Sequence, residues 1–491
     1  MFLLCCSAWR DARASLAGAP RELWLALGPL RLLAAAPYYT LASIFVGYVE
    51  RAFRFTDKTA PLNFGVWGAV NTLFTLLGGW VCDALGVRRT LMLGAFSSCI
   101  GFAALAVIRN IGPYYWIAMY VLIPIGVGLG LPVCDVANRR FSTASYEQII
   151  YPLAYAVSTA GQCIGLAMLS AIAAAYVDGA HRHGKTTAQL ENDTQVERWV
   201  FVACSWASAL LGVIAWRFLG DVHVNQRGDL EPELQPDCTM IGALARLRER
   251  LSALHHNKMF GRVALMVLFT LPARHVFILL YTTLSIYLRR TLGVEAPIYA
   301  FMLIDPALEM LLAPLFAIFL PQFDIYYMII VGAAISSCGL LGFLLVEPTY
   351  LSIGLTLTAF AVGSAMYVPR VQQYVLVLAP DGQEGQFAAL ASSLPILLGK
   401  IIVGLVFGSL LDKDCPDHQI AATEHCASLW TPSVIASFVT PVGLLLCARY
   451  IHSDEVRAHF ANRLATLRSH HTRYVASALR GLMTVEPLHV V

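Results

Sequence analysis

Long apolar runs alternate with short polar segments along most of this chain. Runs of predominantly apolar residues fall at roughly 33–53, 61–82, 90–108, 114–135, 149–175, 198–218, 262–288, 297–320, 325–346, 350–371, 387–411 and 430–450. A helix needs about 20 such residues to cross a bilayer. In hydrocarbon each span must satisfy its own backbone hydrogen bonds, and the two-residue alternation of a membrane barrel is absent, so these runs predict helices. The expected fold class is an all-α membrane protein with twelve transmembrane helices in two six-helix halves related by pseudo-two-fold symmetry. The longest polar segment, 219–261, separates six runs from six. It bounds an N-terminal tail (1–32), a first half (33–218), a central loop (219–261), a second half (262–450) and a C-terminal tail (451–491). Within the loop, Asn225–Glu231 reads as a flexible linker and Leu244–Leu251 as a basic amphipathic helix lying on a membrane surface.

Composition fits a chain whose solvent is lipid: 58% of residues are apolar, 13% are charged, and mean hydropathy is +0.65. The first apolar stretch, Met1–Cys6, is short and lacks a basic start, so no cleavable signal is expected. Most of the 34 Lys and Arg lie on the side that carries both tails and the central loop, which marks that side as cytoplasmic. The locality expected is therefore a plasma membrane or endomembrane, with both termini in the cytoplasm. The opposite side then holds the sequon at Asn192, a candidate glycosylation site, and the pair Cys415 and Cys426, which share one loop and are candidates for a disulfide. The basic C-terminal tail (Arg457, Arg463, Arg468, Arg473, Arg480) suits an anionic leaflet.

One connector carries a family resemblance. Gly78-Gly79-Trp80-Val81-Cys82-Asp83-Ala84-Leu85-Gly86-Val87-Arg88-Arg89 joins the second and third runs. It resembles the signature loop between helices two and three of the major facilitator superfamily of twelve-helix secondary transporters. That family usually has a basic residue after the aspartate, where this chain has Ala84, and no residue corresponding to Val87. The halves also echo one another: Gly128-Leu129-Gly130-Leu131-Pro132 has a loose counterpart in Gly363–Pro369. The resemblance implies a binding site between the halves at the bilayer midplane. Val49-Glu50-Arg51-Ala52-Phe53 is distantly similar to a helix-one motif of proton-coupled peptide transporters.

Charge inside the spans points to function, because such residues are costly in lipid and normally face a cavity or each other. Arg274 and His275 lie at the centre of span seven, Asp305 and Glu309 one turn apart on span eight, and Lys400 in span eleven. The first half offers neutral polar groups, among them Tyr38, Tyr39, Asn71, Tyr155 and Gln162. Arg274 and Lys400 are expected to hold an anionic substrate group, with Tyr38, Tyr39, Tyr155 and Gln162 completing the site. Burial disfavours charge, so Asp305 or Glu309 suits reversible proton uptake. Alternatively, these four charges form static bridges, and His275 is a hydrogen-bonded packing residue. Asp83, Arg88, Arg89, Asp135 and Arg139, at the inner helix ends, are expected to gate. Gly161, Gly165, Gly399, Gly404 and Gly408 are expected to allow close helix approach.

No nucleotide-binding, metal or catalytic pattern is present, so no enzyme activity, cofactor or nucleic-acid partner is expected. The function expected is secondary active transport of a small polar solute, anionic or zwitterionic (amino acid, peptide or organic acid), by alternating access with protons as the coupling ion, in a monomer within the bilayer. A facilitative uniporter of a neutral sugar or nucleoside, and a solute sensor that moves nothing, are the alternatives.

Overall fold

The structure is a computed structural model describing residues 19–56, 58–110, 112–141, 147–182, 194–220, 222–224, 230–232, 258–292, 297–320, 323–378, 398–415, 426–458 and 460. Each of the twelve apolar runs carries helix. The first half comprises α1 (Arg21–Phe53), α2 (Thr59–Leu85), α3 (Val87–Val107), α4 (Pro113–Asn138), α5 (Glu147–Arg182) and α6 (Gln195–Phe218). The second comprises α7 (Lys258–Leu292), α8 (Ile298–Phe319), α9 (Ile325–Leu340), α10 (Tyr350–Leu378), α11 (Leu398–Leu411) and α12 (Thr431–Leu446). Among the described residues, ten helices are long and apolar enough to cross a membrane. The chain is an integral, multi-pass membrane protein.

Local chemistry sets several boundaries. Gly86 adopts φ 81° between α2 and α3, a left-handed turn that glycine enters without strain. Asp324 caps α9, its carboxylate accepting from the amides of Tyr326 (2.8 Å) and Tyr327 (3.4 Å). Two segments differ from expectation. Helix begins at Arg21, inside the expected tail, because Leu23, Leu27 and Leu30 pack into a buried cluster. Within the central loop, β1 (Val222–Val224) pairs antiparallel with β2 (Leu230–Pro232), Val224 opposite Leu230, where a flexible linker is expected. The β-branched Val-His-Val alternation favours that pairing. The amphipathic segment 244–251 lies outside the described residues.

The same packing scheme appears twice. In the first half α3 packs on α4 and α6, α2 on α4, and α1 on α6; in the second α9 packs on α10 and α12, α8 on α10, and α7 on α12. Across the halves, α5 meets α8 and α10, α2 meets α11, and α1 meets α7. Gly65 and Gly404 form the α2–α11 crossing, where a Cβ on Gly65 would lie 3.1 Å from the Gly404 Cα. Gly161 and Gly165 instead seat α5 on α1, within the first half.

The buried core is divided unevenly. At the end of the bundle that carries the Cys415–Cys426 disulfide, one hydrophobic cluster runs through both halves, from Phe45, Phe64 and Trp67 to Leu279, Tyr287, Phe407 and Trp430. At the opposite end, which carries Arg21 and Ile451, the core splits. One cluster, with Leu27, Val133 and Leu219, belongs to the first half. The other, with Met266, Tyr326 and Tyr374, belongs to the second and takes only Tyr155 from the first. The buried core is thus continuous across the halves at the disulfide face and divided between them at the terminal face.

Candidate functional site

The intramembrane polar residues meet where α1, α5, α7, α8 and α10 converge. Glu309, on α8, is completely buried. The Tyr155 hydroxyl on α5 donates to its Oε2 at 2.7 Å, and the Ser364 hydroxyl on α10 donates to its Oε1. The first of these bonds crosses between the halves. Arg274, on α7, is 8% exposed and lies within electrostatic reach of Glu309, Tyr39, Tyr155 and Tyr367. Among the described residues it forms no ion pair within 4 Å, and its Nη2 has no hydrogen-bond partner. Asp305 is buried one turn from Glu309, in electrostatic reach of Tyr155 and Tyr367.

Gln162, on α5, is fully buried, and both its amide oxygen and its amide nitrogen lack partners among the described residues. The Asn71 Oδ1 and Tyr367 hydroxyl are likewise buried and unpaired. Each such group forfeits about 1–3 kcal/mol relative to a satisfied one, so a set of them is a reservoir of binding groups rather than structural glue. Chemically, the convergence offers a guanidinium, two carboxyl groups and the hydroxyls of Tyr155, Ser364 and Tyr367.

Not every expected residue joins it. His275 turns to α12, its Nε2 lying 3.5 Å from the Ser433 Oγ, which is a packing arrangement. Lys400 leaves the carboxylates and extends across to α1 and α2, its Nζ 5.2 Å from the Tyr38 ring centroid and 5.0 Å from that of Trp67. Tyr39 contacts Tyr38 edge-on at 4.9 Å. Asp135 pairs with Arg31 of α1 at 2.5 Å, while the Arg31 Nε donates to Ser158 at 2.6 Å, so this bridge lies within the first half. Arg88 donates to the Trp216 carbonyl at 2.6 Å, tying α3 to α6, and Arg89 is exposed. The side chains of Asp83 and Arg139, and all of Asn192, lie outside the described residues. Cys415 and Cys426 are bonded as expected, and Arg290 donates to the Cys415 carbonyl.

Trp67, Ser364, Tyr367 and Arg31 were not singled out from the sequence. A signal existed for the first: Gly65 and Gly68, three apart on an apolar helix, mark a face where another helix comes close. Ser364 gave none, since a lone serine in a membrane helix usually bonds its own backbone.

The model of the Major Facilitator Superfamily matches residues 27–413. A search of curated proteins finds no match. Among solved structures, the POT family transporter PepTSo aligns with TM-score 0.65 at 14% identity, over 89% of this chain and 99% of that one. A POT family transporter in complex with 5-aminolevulinic acid aligns with TM-score 0.65 at 16% identity (88% and 97%). The nucleoside transporter NupG aligns with TM-score 0.60 at 15% identity (86% and 99%). At these identities the likeness is one of fold, and it spans both halves. With the family match covering most of the chain, the duplicated packing and the connector at Gly86, the protein belongs to the major facilitator superfamily.

Proposed function

We propose that this chain is a secondary active transporter that moves a small anionic or zwitterionic solute of the amino acid, peptide or organic acid kind by alternating access, with proton symport. The observation that carries this reading is Arg274: a buried guanidinium with an unpaired nitrogen, facing a carboxyl that is held by hydroxyls. Had Arg274 been bonded to Glu309, it would be structural. A guanidinium with a nitrogen left to be paired instead suits a carboxylate or phosphate on the solute. Glu309 suits the proton because Tyr155 and Ser364 can donate to the carboxylate or, with one hydroxyl reversed, accept from the acid. Its bond to Tyr155 crosses the halves, so the charge on Glu309 bears on how they sit. The terminal face, which we place in the cytoplasm, is the one where the core is divided between the halves. The solved relative that holds 5-aminolevulinic acid, a zwitterion, supports the solute class.

A second reading rests on Gln162 and Asn71, whose unpaired amides suit a neutral polar solute, as does the likeness to a nucleoside transporter. Flux into proteoliposomes, with and without a proton gradient, across amino acids, peptides, organic acids, sugars and nucleosides separates the two. We expect gradient-driven accumulation of a charged solute, abolished by Glu309→Gln with exchange partly retained. Arg274→Lys should weaken binding of carboxylate-bearing solutes more than of neutral analogues. Gradient-independent uptake of a neutral solute would overturn the reading. Saturable binding with no flux would favour a sensor.

A further inference from the structure

Lys400 is 2% exposed, and its ammonium has no hydrogen-bond acceptor and no ion pair among the described residues. What surrounds it belongs to the other half. Its Nζ lies within 6 Å of the faces of Tyr38 (α1) and Trp67 (α2), close enough for cation–π attraction. Those two rings stack on one another at 6.2 Å and 24°. The lysine stem fills a notch left by Gly68: a Cβ there would meet Lys400 Cδ and would lie 2.8 Å from its Cβ and 2.9 Å from its Cγ. One turn towards the disulfide face, Gly65 and Gly404 bring the two backbones into contact. Trp67 belongs to the cluster that fuses the halves at that face, and Tyr38 packs against it.

We propose that Lys400 is a cation–π latch that holds the disulfide face closed by docking the second half onto Tyr38 and Trp67 of the first, rather than a ligand for the transported solute. The chemistry favours a releasable contact. A buried ammonium that has given up its hydration without gaining a hydrogen bond is stabilised, among the described residues, only by the ring faces, so the balance between docked and released states is shallow. A buried salt bridge at the same place would be far harder to part, because separating it strands two charges. Opening the disulfide face must withdraw Lys400 from the notch, and closing it must return the stem past Gly68.

The test is conformational, so it reads the latch whether or not a solute is ever found. Spin labels are placed at exposed Lys58 (just before α2) and Lys413 (just after α11) in a chain whose free cysteines have been replaced, and their distance distribution is measured in nanodiscs. We expect one short population in the parent. Lys400→Met keeps the stem and removes the charge, and should raise the ratio of long to short distances about fivefold or more, from a desolvated cation–π contact of about 1–2 kcal/mol. Lys400→Arg should retain the short population. Trp67→Leu should act like Lys400→Met, and the two together should add little to either alone. Gly68→Ala, which fills the notch, should also lengthen the distance. An unchanged distribution in Lys400→Met, or full additivity with Trp67→Leu, overturns the latch. Weakened solute binding in Lys400→Met with no change in distance would return Lys400 to the ligand set.

Discussion

Gln162 distinguishes a binding role from a structural one at the level of a single side chain. A buried amide without partners is a liability to the folded state, and replacing it by an apolar group of similar size is neutral or stabilising. Gln162→Leu should therefore leave the melting temperature unchanged or raise it, while weakening solute binding about tenfold or more. A fall in melting temperature would show that Gln162 has a partner on which folding depends. The site was partly legible at this scale. Arg274, Glu309, Asp305 and Gln162 stood out because ionisable and amide groups are rare in lipid-spanning runs, and the first three do converge, with Tyr155. Lys400 was grouped with them on depth alone. Depth along a helix says nothing about which way a long side chain turns, and only the notch at Gly68 and the rings beyond it explain its direction.

Elements meet most tightly where glycine removes a side chain. On α9, a Cβ at Gly332 would lie 2.9 Å from the Gly363 carbonyl oxygen and from the Tyr367 nitrogen, both backbone atoms that cannot step aside. Gly332→Ala should destabilise the protein by about 1–3 kcal/mol through overpacking. Gly354 has nothing within 4 Å, so Gly354→Ala should be neutral or stabilise by up to about 1 kcal/mol through helix propensity. Thermal unfolding of both variants checks the contrast. A second element-level prediction concerns the chain after α12. His452 stacks on Tyr326 at 5.0 Å and donates through Nε2 to Asp324 at 2.9 Å, and Arg262 bonds Glu455 at 2.9 Å. Partial burial pushes the Asp324 carboxyl up, but the bonds from His452 and from the amides of Tyr326 and Tyr327 outweigh it and hold the group below its usual range. Docking stability from this group is therefore present above the ordinary carboxylate value of about 4 and lost as pH falls through the lower folded value. Amide exchange of 452–458 should speed up, after intrinsic correction, in acid. Asp324→Asn, which keeps the helix cap, should bring part of that loss to neutral pH, well under 1 kcal/mol given the exposure of Asp324. Nothing in the sequence signals this docking, because the His452 partner of Asp324 lies 128 residues away.

For the molecule as a whole, the core is continuous across the halves at the disulfide face and divided at the terminal face. The apolar runs made an all-helical membrane protein legible, with ten helices among the described residues long and apolar enough to cross a membrane, and the Gly86 connector made the family legible. The conformation was not, because it depends on which side chains of α1, α2, α7 and α11 interlock. Asp135, expected to gate, and Arg370 illustrate the difference. Both are engaged within their own halves, Asp135 with Arg31 and Arg370 with Gln373 (2.6 Å) and the Phe316 carbonyl. A cysteine at position 135, in a chain without its free cysteines, should react readily with a membrane-impermeant maleimide from the terminal side. The reaction should slow in Lys400→Met if releasing one face closes the other; equal rates would mean the faces move independently.

The uneven core has an electrical consequence. Water entering where the core is divided would carry the potential inward, so the membrane potential would not fall evenly over the full thickness. It would fall mainly across the fused layer, which acts as a thin dielectric. A charge that crosses the whole drop gains or loses about 2.3 kcal/mol per 100 mV, and Lys400 sits at the edge of that layer. Its withdrawal during opening is a movement of charge through a focused field. The protein should therefore show a transient capacitive current on a voltage step in the absence of solute, diminished in Lys400→Met, and its turnover should be steered by voltage as well as by concentration.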